Sequence, residues 1–185
     1  MVLGFFNMKY LFGLAALGMA AFSSADLYVN TFATDVDSFD AQGSAFNVVQ
    51  SANLGVGSHI TGIGWDLNLR TLGASFLSEA VIGFGDGPTP FVNLTPGIGD
   101  DFSGGAAYSS GGVVDLVGLG LDFFLTTGNL NMEFFESFDD GVGAVDAKWL
   151  AGSTLTIQYD AVPEPATFAA LGLGVAVLLR RRRKN

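Results

Sequence analysis

The stretch GLGLDFFLTTGNLNMEF, residues 118–134, is the strongest indication of the fold. Along its second half apolar and polar side chains alternate, with the apolar ones at Leu130, Met132 and Phe134. An alternation of period two places the apolar side chains on one face of a β-strand. Two apolar runs flank Thr127-Gly128, so the stretch predicts a β-hairpin that turns at these two residues.

Short runs with the same character recur from one end of the central segment to the other. They are LYVNTFA (27–33), SAFNVVQ (44–50), HITGIGWDLNLR (59–70), EAVIGFG (79–85), GGVVDLV (111–117) and STLTIQY (153–159). Glycine- and proline-rich segments between them, GDGPTP (85–90) and TPGIGDDFSGG (95–105), predict loops. No segment of useful length has the period of an α-helix, so we expect about eight to ten short strands.

Many short strands with glycine-rich turns in residues 26–160 predict an all-β fold, an antiparallel β-sandwich. A jelly-roll strand order is the favoured form of this sandwich. The spacing of the runs ITGIGWDLNL, FLSEAVIGFG, VVDLV, GNLNMEFFESFDD and STLTIQY is also loosely similar to jelly-roll modules of the proprotein-convertase P-domain and galactose-binding types.

Charge is distributed very unevenly along the chain. Residues 26–160 carry 17 acidic and two basic residues, a net charge of −15 with His59 neutral. Such a surface repels phosphate groups and argues against nucleic-acid binding. The acidity indicates either solubility outside the cell or the binding of cations. The chain has no cysteine, which excludes disulfides and thiolate metal sites.

The stretch MKYLFGLAALGMAAFSSA, residues 8–25, has the pattern of a secretory signal peptide. Lys9 supplies a basic start, residues 10–22 are apolar, and small residues precede Asp26. We therefore expect residues 1–25 to form an apolar signal helix that is removed by cleavage between Ala25 and Asp26.

The last segment, residues 161–185, combines three unlike parts. Val162 and Glu164 precede prolines, which favours an extended backbone. Residues 166–179 lack charge and would measure about 21 Å as a helix, somewhat short of a hydrocarbon core of about 30 Å. The basic residues that follow mark a cytoplasmic side and can extend the span by snorkelling; they are Arg180, Arg181, Arg182, Arg183 and Lys184. The pattern predicts a transmembrane helix with a cytoplasmic basic tail.

The motif Val162-Pro163-Glu164-Pro165, the apolar run and the basic cluster occur in an order that resembles the PEP-CTERM sorting signal of Gram-negative-type bacteria. The resemblance implies that exosortase, a membrane protease, is a partner and removes the tail near the Pro-Glu-Pro. It also implies export through the inner membrane, transient anchoring, and release to the cell surface or extracellular matrix. Such proteins are linked with exopolysaccharide and biofilm. A permanent single-helix anchor is the alternative.

The sequence offers no set of catalytic residues. His59 is the one histidine, and no residue pattern supplies it with a nucleophile or an acid. Glu133 and Glu136 are candidates for a glycosidase pair, which needs two carboxylates about 5 to 9 Å apart. On a strand, however, these two positions face opposite sides. We therefore expect that the protein is not an enzyme.

Two weaker binding sites remain candidates. Asp100, Asp101, Asp139 and Asp140 lie in acidic turns whose oxygens suit calcium, although solvated turns and hydrogen-bonded loop caps are their ordinary interpretation. No other cofactor is indicated. Trp149, with Lys148 and Asp146, is the candidate for a sugar site, and core packing is the ordinary interpretation of its ring.

The favoured function is a structural or adhesive role in an exopolysaccharide matrix. A carbohydrate-binding module, with or without a requirement for calcium, is the alternative.

Overall fold

The structure is a computed structural model that describes residues 25–138, residues 141–162 and Gly172. These residues form eleven strands and one helical turn, which confirms the all-β class. The strands are β1 (Asp26–Thr31), β2 (Val36–Ser38), β3 (Val48–Asn53), β4 (His59–Thr71), β5 (Ala80–Gly85), β6 (Val92–Leu94), β7 (Gly105–Asp115), β8 (Phe123–Phe124), β9 (Asn129–Glu136), β10 (Ala147–Trp149) and β11 (Thr154–Asp160). The helical turn α1 spans Leu116–Leu119. The predicted signal helix, the membrane helix and the basic cluster lie outside the described residues.

All neighbouring strands are antiparallel, and they form two sheets. In the first sheet β4 is central: β11 and β10 pair with one of its edges, and β7 and β8 pair with the other. Beyond them β1 pairs with β11, and β2 pairs with β10. The second sheet has the order β3-β9-β5-β6.

The core lies between the two sheets and is built from the alternating apolar positions. Leu130, Met132 and Phe134 of β9 are each 0% exposed, which confirms the inward face predicted for this strand. Facing side chains come from the first sheet, where the ring of Trp149 lies 6.0 Å from that of Phe134. Burial of each such apolar side chain stabilises the fold by about 1.5–3 kcal/mol, so these residues contribute substantially to the packing of the two sheets.

The hairpin predicted at Thr127-Gly128 is wrong, because the turn joins the two sheets. Phe123 and Phe124 pair with β4 in the first sheet, whereas β9 begins the second. The carboxylate of Asp86 accepts hydrogen bonds from Thr126 and Thr127 and holds this crossing. Two apolar runs around a Thr-Gly turn look the same in sequence whether they pair with each other or with other strands.

The strand predicted over residues 111–117 ends early, at Asp115. The Oδ1 atom of Asp115 accepts hydrogen bonds from the N–H groups of Val117 and Gly118, which caps the first turn of α1. Gly120 ends the turn in the left-handed conformation, with φ 68°. This detour lets the chain leave the edge of β4 and return to it as β8.

Candidate functional site

A cleft of about 370 Å³ lies on the outer face of the second sheet. Its floor comes from β9, where Asn131 and Glu133 alternate with the buried apolar residues and therefore face away from the core. Val49 lies opposite Glu133 on β3, and Gly83 lies opposite it on β5. A volume of this size is within the range of small-molecule sites in proteins.

One wall of the cleft is the loop between β5 and β6, which folds back over β5. The N–H of Phe91 donates a 2.8 Å hydrogen bond to the carbonyl of Phe84. A Cβ atom on Gly83 would lie 2.9 Å from two side-chain carbons of Pro90, and one on Gly85 would lie 2.9 Å from the Pro90 Cα. Glycine at these two positions is therefore what permits Pro90 to approach the sheet.

The opposite wall is the loop between β2 and β3, and Glu133 holds it in place. Oε1 of Glu133 accepts hydrogen bonds from the N–H of Gly43, at 2.6 Å, and from Nδ2 of Asn47, at 3.0 Å. Glu133 is only 9% exposed. One carboxylate oxygen is thus used to fix the wall, which the sequence pattern alone did not indicate.

Asn131 supplies an amide on the same floor. Its Oδ1 accepts a hydrogen bond of 2.6 Å from Oγ of Ser51 on the neighbouring strand. The lining also includes the apolar rings of Pro88 and Pro90. Such a lining can offer hydrogen bonds to hydroxyl groups and apolar contact to carbon–hydrogen faces.

Glu136 lies on the other side of the same strand. It is 0% exposed, and Oγ of Ser38 from the first sheet donates a hydrogen bond to its Oε1. Glu133 and Glu136 therefore diverge, as the strand periodicity predicts. The cleft therefore has a single carboxylate, that of Glu133, among its described lining residues.

The structure corrects the sugar site predicted at Trp149. Its side chain is 0% exposed and packs edge-on against Phe134 in the core. A buried ring presents no face to a sugar, so the prediction is wrong. Lys148 points elsewhere and forms an ion pair of 2.5 Å with Asp37 on β2, while Asp146 is buried.

Two of the four predicted calcium ligands, Asp100 and Asp101, lie among the described residues. Asp100 accepts a 2.6 Å hydrogen bond from the hydroxyl of Tyr108, and Asp101 accepts one of 2.7 Å from Ser78. Asp139 and Asp140 lie outside the described residues. Within residues 25–138 and 141–162, no three His, Asp or Glu side chains are grouped so as to hold a metal ion.

A second cluster of polar groups surrounds His59 at the start of β4. Its Nε2 lies 2.7 Å from Oδ2 of Asp122, and its Nδ1 lies 4.0 Å from Oδ2 of Asp160. The imidazole also stacks on the ring of Phe124, with 4.1 Å between centroids. The sequence offered no partner for His59, because Asp122 is 63 residues away along the chain. Asp160 ends β11, so the cluster marks the point where the chain leaves the sandwich.

Residues 161–184 match the PEP-CTERM protein-sorting motif, which confirms the sorting signal expected from the sequence. The motif indicates export and processing at the membrane, with exosortase as the processing partner. Among the described residues no helix is both long and apolar enough to cross a bilayer. Comparison with curated proteins finds no match.

Solved structures similar to the chain are remote from it. The VP2 subviral particle of infectious bursal disease virus is 15% identical over 86% of this chain and 49% of its own, with a TM-score of 0.38. Dimeric latent PorU from Porphyromonas gingivalis is 5% identical over 74% of this chain and 13% of its own, also with a TM-score of 0.38. The chain spans about half the length of the viral protein.

Proposed function

We propose that the sandwich is a non-catalytic structural or adhesive module, which its PEP-CTERM motif delivers to the cell surface or the exopolysaccharide matrix. In this proposal the sandwich is the functional domain, and the motif is its sorting signal.

The junction between fold and motif carries this proposal. β11 ends at Asp160, and the motif begins at residue 161. β11 is paired on both edges, with β1 on one side and β4 on the other. Cleavage between Pro163 and Pro165 therefore deletes no described strand, as expected for a tail that is removed after delivery.

The lining of the cleft supports the absence of catalysis. Glu133 is its single carboxylate among the described residues, and one oxygen of that carboxylate already accepts two hydrogen bonds. General acid–base chemistry on a glycoside needs a second carboxylate at a set distance. The same surface is better suited to holding a ligand than to transforming it.

Strand order supports a jelly roll as the finer description of the sandwich. The order β1-β11-β4-β7 in one sheet faces β3-β9-β5-β6 in the other. Two four-stranded antiparallel sheets of this kind are what an eight-stranded double-sheet roll built from two Greek keys requires. Strands β2, β8 and β10 then extend its first sheet.

The intact mass of the protein recovered from its native host tests the sorting step. We expect a species that begins at Asp26 and ends between Pro163 and Pro165, located in the surface or matrix fraction. Deleting the host's exosortase should leave the full tail in place. A chain that keeps Arg180 to Lys184 in the normal host contradicts the proposal and leaves a membrane-anchored domain.

A carbohydrate-binding module is the second candidate, and the cleft favours it. A saccharide presents hydroxyl groups together with apolar carbon–hydrogen faces, and the cleft combines Asn131 and Ser44 with the rings of Pro88 and Pro90. Its ligand would be a neutral sugar, since Glu133 and the surrounding acidity disfavour anionic groups.

Asn131→Ala tests this candidate, and Asn129→Ala is its matched control. Asn129 lies on the same face of β9 and bonds Asn53 across the strand pair, but it does not line the cleft. Titration with exopolysaccharide from the host should show about tenfold weaker binding for the Asn131 variant alone, as expected for about 1.4 kcal/mol. Equal affinities for both variants contradict a site in the cleft. Repeating the titration after chelation with EGTA shows whether binding requires calcium.

A further inference from the structure

The first strand begins and the last strand ends at the same end of the sandwich. Asp26, the first residue after the predicted signal peptide, lies opposite Tyr159 in the β1–β11 pair. Asp160 lies opposite His59, the first residue of β4. The side chain of Val162 then lies against Gly57, where an added Cβ would be 3.1 Å from Val162 Cγ2. We call this end of the sandwich, defined by these residues, the exit pole.

Large apolar side chains are exposed at and beside the exit pole. They are Leu27 (60% exposed), Val56 (68%), Leu121 (45%), Phe124 (57%) and Val162 (56%). A local contact holds one of them, because the Phe124 ring stacks on His59, and the Nε2 atom of this imidazole is in turn bonded to Asp122. Exposed apolar groups that are held in place in this way are typical of a surface that meets an apolar partner.

We propose that the exit pole docks on the outer surface of the lipid bilayer until the tail is removed. This inference rests on the proposed insertion of residues 166–179 into the membrane. Five residues separate Asp160 from that segment, and fully extended they reach about 20 Å at most. A headgroup layer is roughly 5 to 8 Å thick, so the pole cannot move far from the interface. Such a short tether gives the exit pole a high effective concentration at the bilayer surface, so weak apolar contacts are enough to hold it there.

The acidic side chains of the exit pole determine which kind of lipid surface it can approach. The exit pole carries the carboxylates of Asp26, Asp122 and Asp160, of which the last two approach His59. Residues 26–160 as a whole carry 17 acidic residues against two basic ones. An anionic bilayer surface would repel this pole, whereas a zwitterionic phospholipid surface allows the apolar side chains to enter the headgroup layer.

The absence of cysteine makes a site-specific test direct. Phe124→Cys and Phe102→Cys form a matched pair, because the two rings are 57% and 54% exposed. Phe102 lies near the far end of β4, since Thr71 donates to the carbonyl of Gly104 two residues away. β4 has 13 residues, so the two labels sit about 40 Å apart along the strand axis.

The chain from Asp26 to Asn185, which lacks the predicted signal peptide but keeps its tail, is labelled at either position with a fluorescent dye and reconstituted into phosphatidylcholine vesicles that contain a headgroup-linked quencher. We expect loss of most of the emission at position 124 and little loss at position 102. Val56→Cys, a second label at the pole, should behave like position 124 and guards against a fold perturbed by the first substitution. Anionic phosphatidylglycerol vesicles should reduce the quenching at both pole positions.

The outcomes separate this inference from the proposed function. A chain that does not float with the vesicles contradicts insertion of the tail and overturns both. A chain that floats but is quenched equally at positions 124 and 102, or at neither, overturns docking alone. A control uses vesicles without quencher. If emission at position 124 falls there as the protein-to-lipid ratio rises, the partner of the exit pole is a second copy of the chain, and docking on the bilayer is overturned.

Discussion

The hydroxyl of Tyr108 donates a hydrogen bond of 2.6 Å to Oδ2 of Asp100, and this bond ties β7 to the acidic loop that precedes it. The pair lies where the sequence suggested a calcium ligand. Asp100 is thus occupied as a structural acceptor, and the loop that carries it is linked to the edge of the first sheet.

Alkaline pH should weaken the fold through Tyr108. Burial raises the pKa of Tyr108 to about 12, and the hydrogen bond and the charge of Asp100 act in the same direction. Because the folded pKa lies above the unfolded value of about 10, the contribution is complete below pH 10 and is lost as the pH rises to about 12. Urea unfolding across this window should show a steeper loss for the wild type than for Tyr108→Phe. Parallel curves for the two proteins contradict the assignment.

Acidic pH should weaken the fold through Asp86. Desolvation acts to raise the pKa of Asp86, but hydrogen bonds from Thr126 and Thr127 outweigh it and lower the pKa. Because the folded pKa is depressed, the contribution is present above about pH 4, the unfolded value, and is lost as the pH falls through the folded pKa. Asp86→Asn should lower the unfolding free energy at pH 7 by about 1 kcal/mol at most, since solvent screens this exposed carboxylate.

The partner of Asp86 provides the control. Thr127→Val removes one hydroxyl donor, so the double variant should lose less than the sum of the two single variants. Strict additivity in denaturant unfolding at pH 7 would show that the two side chains do not interact.

Gly83→Ala should destabilise the cleft wall. The new methyl group would meet Pro90 at 2.9 Å, and we expect a loss of about 1–3 kcal/mol from the displaced loop. Gly87→Ala is the matched control, because a Cβ atom added at this position of the same loop region would have no neighbour within 4 Å. Thermal unfolding of both variants decides the matter: equal shifts in Tm would mean that Pro90 does not pack on the strand.

Trp149→Ala should cost about 3–5 kcal/mol, as for other large core side chains. Trp149→Phe should cost clearly less, since the indole Nε1 is buried without a hydrogen-bond partner in the described part of the chain. Denaturant unfolding measures both losses. A Trp149→Ala variant of normal stability with weakened sugar binding would restore the surface role that the burial of this ring contradicts.

Local periodicity correctly predicted the inward faces of β9 and β11. Leu130, Met132 and Phe134 on β9, and Leu155 with Ile157 on β11, point inward because alternation within one strand needs no information from elsewhere. The same local reasoning found the sorting motif, which is a continuous segment.

The features that depend on distant residues were not predictable in this way. Whether Thr127-Gly128 closes a hairpin or crosses between sheets is decided by Asp86, 41 residues before Thr127, and by β4. The cleft depends on Pro90 folding over Gly83 and on Glu133 bonding Gly43 across 90 residues. The short strand β10 carries too few residues for its periodicity to show that Trp149 faces the core.

The pairing of β1 with β11 also fixes the order of events during export. β1 is the first strand to cross the membrane and β11 is the last, yet β11 fills the gap between β1 and β4. The first sheet therefore remains open until residues 154–160 have emerged, and its closure depends on contacts between the most distant parts of the domain. Folding must be completed after translocation of the whole domain, while the motif that follows β11 is reaching the membrane. A pause of the chain at that stage would give the last strand time to insert before the protease separates the module from its tail.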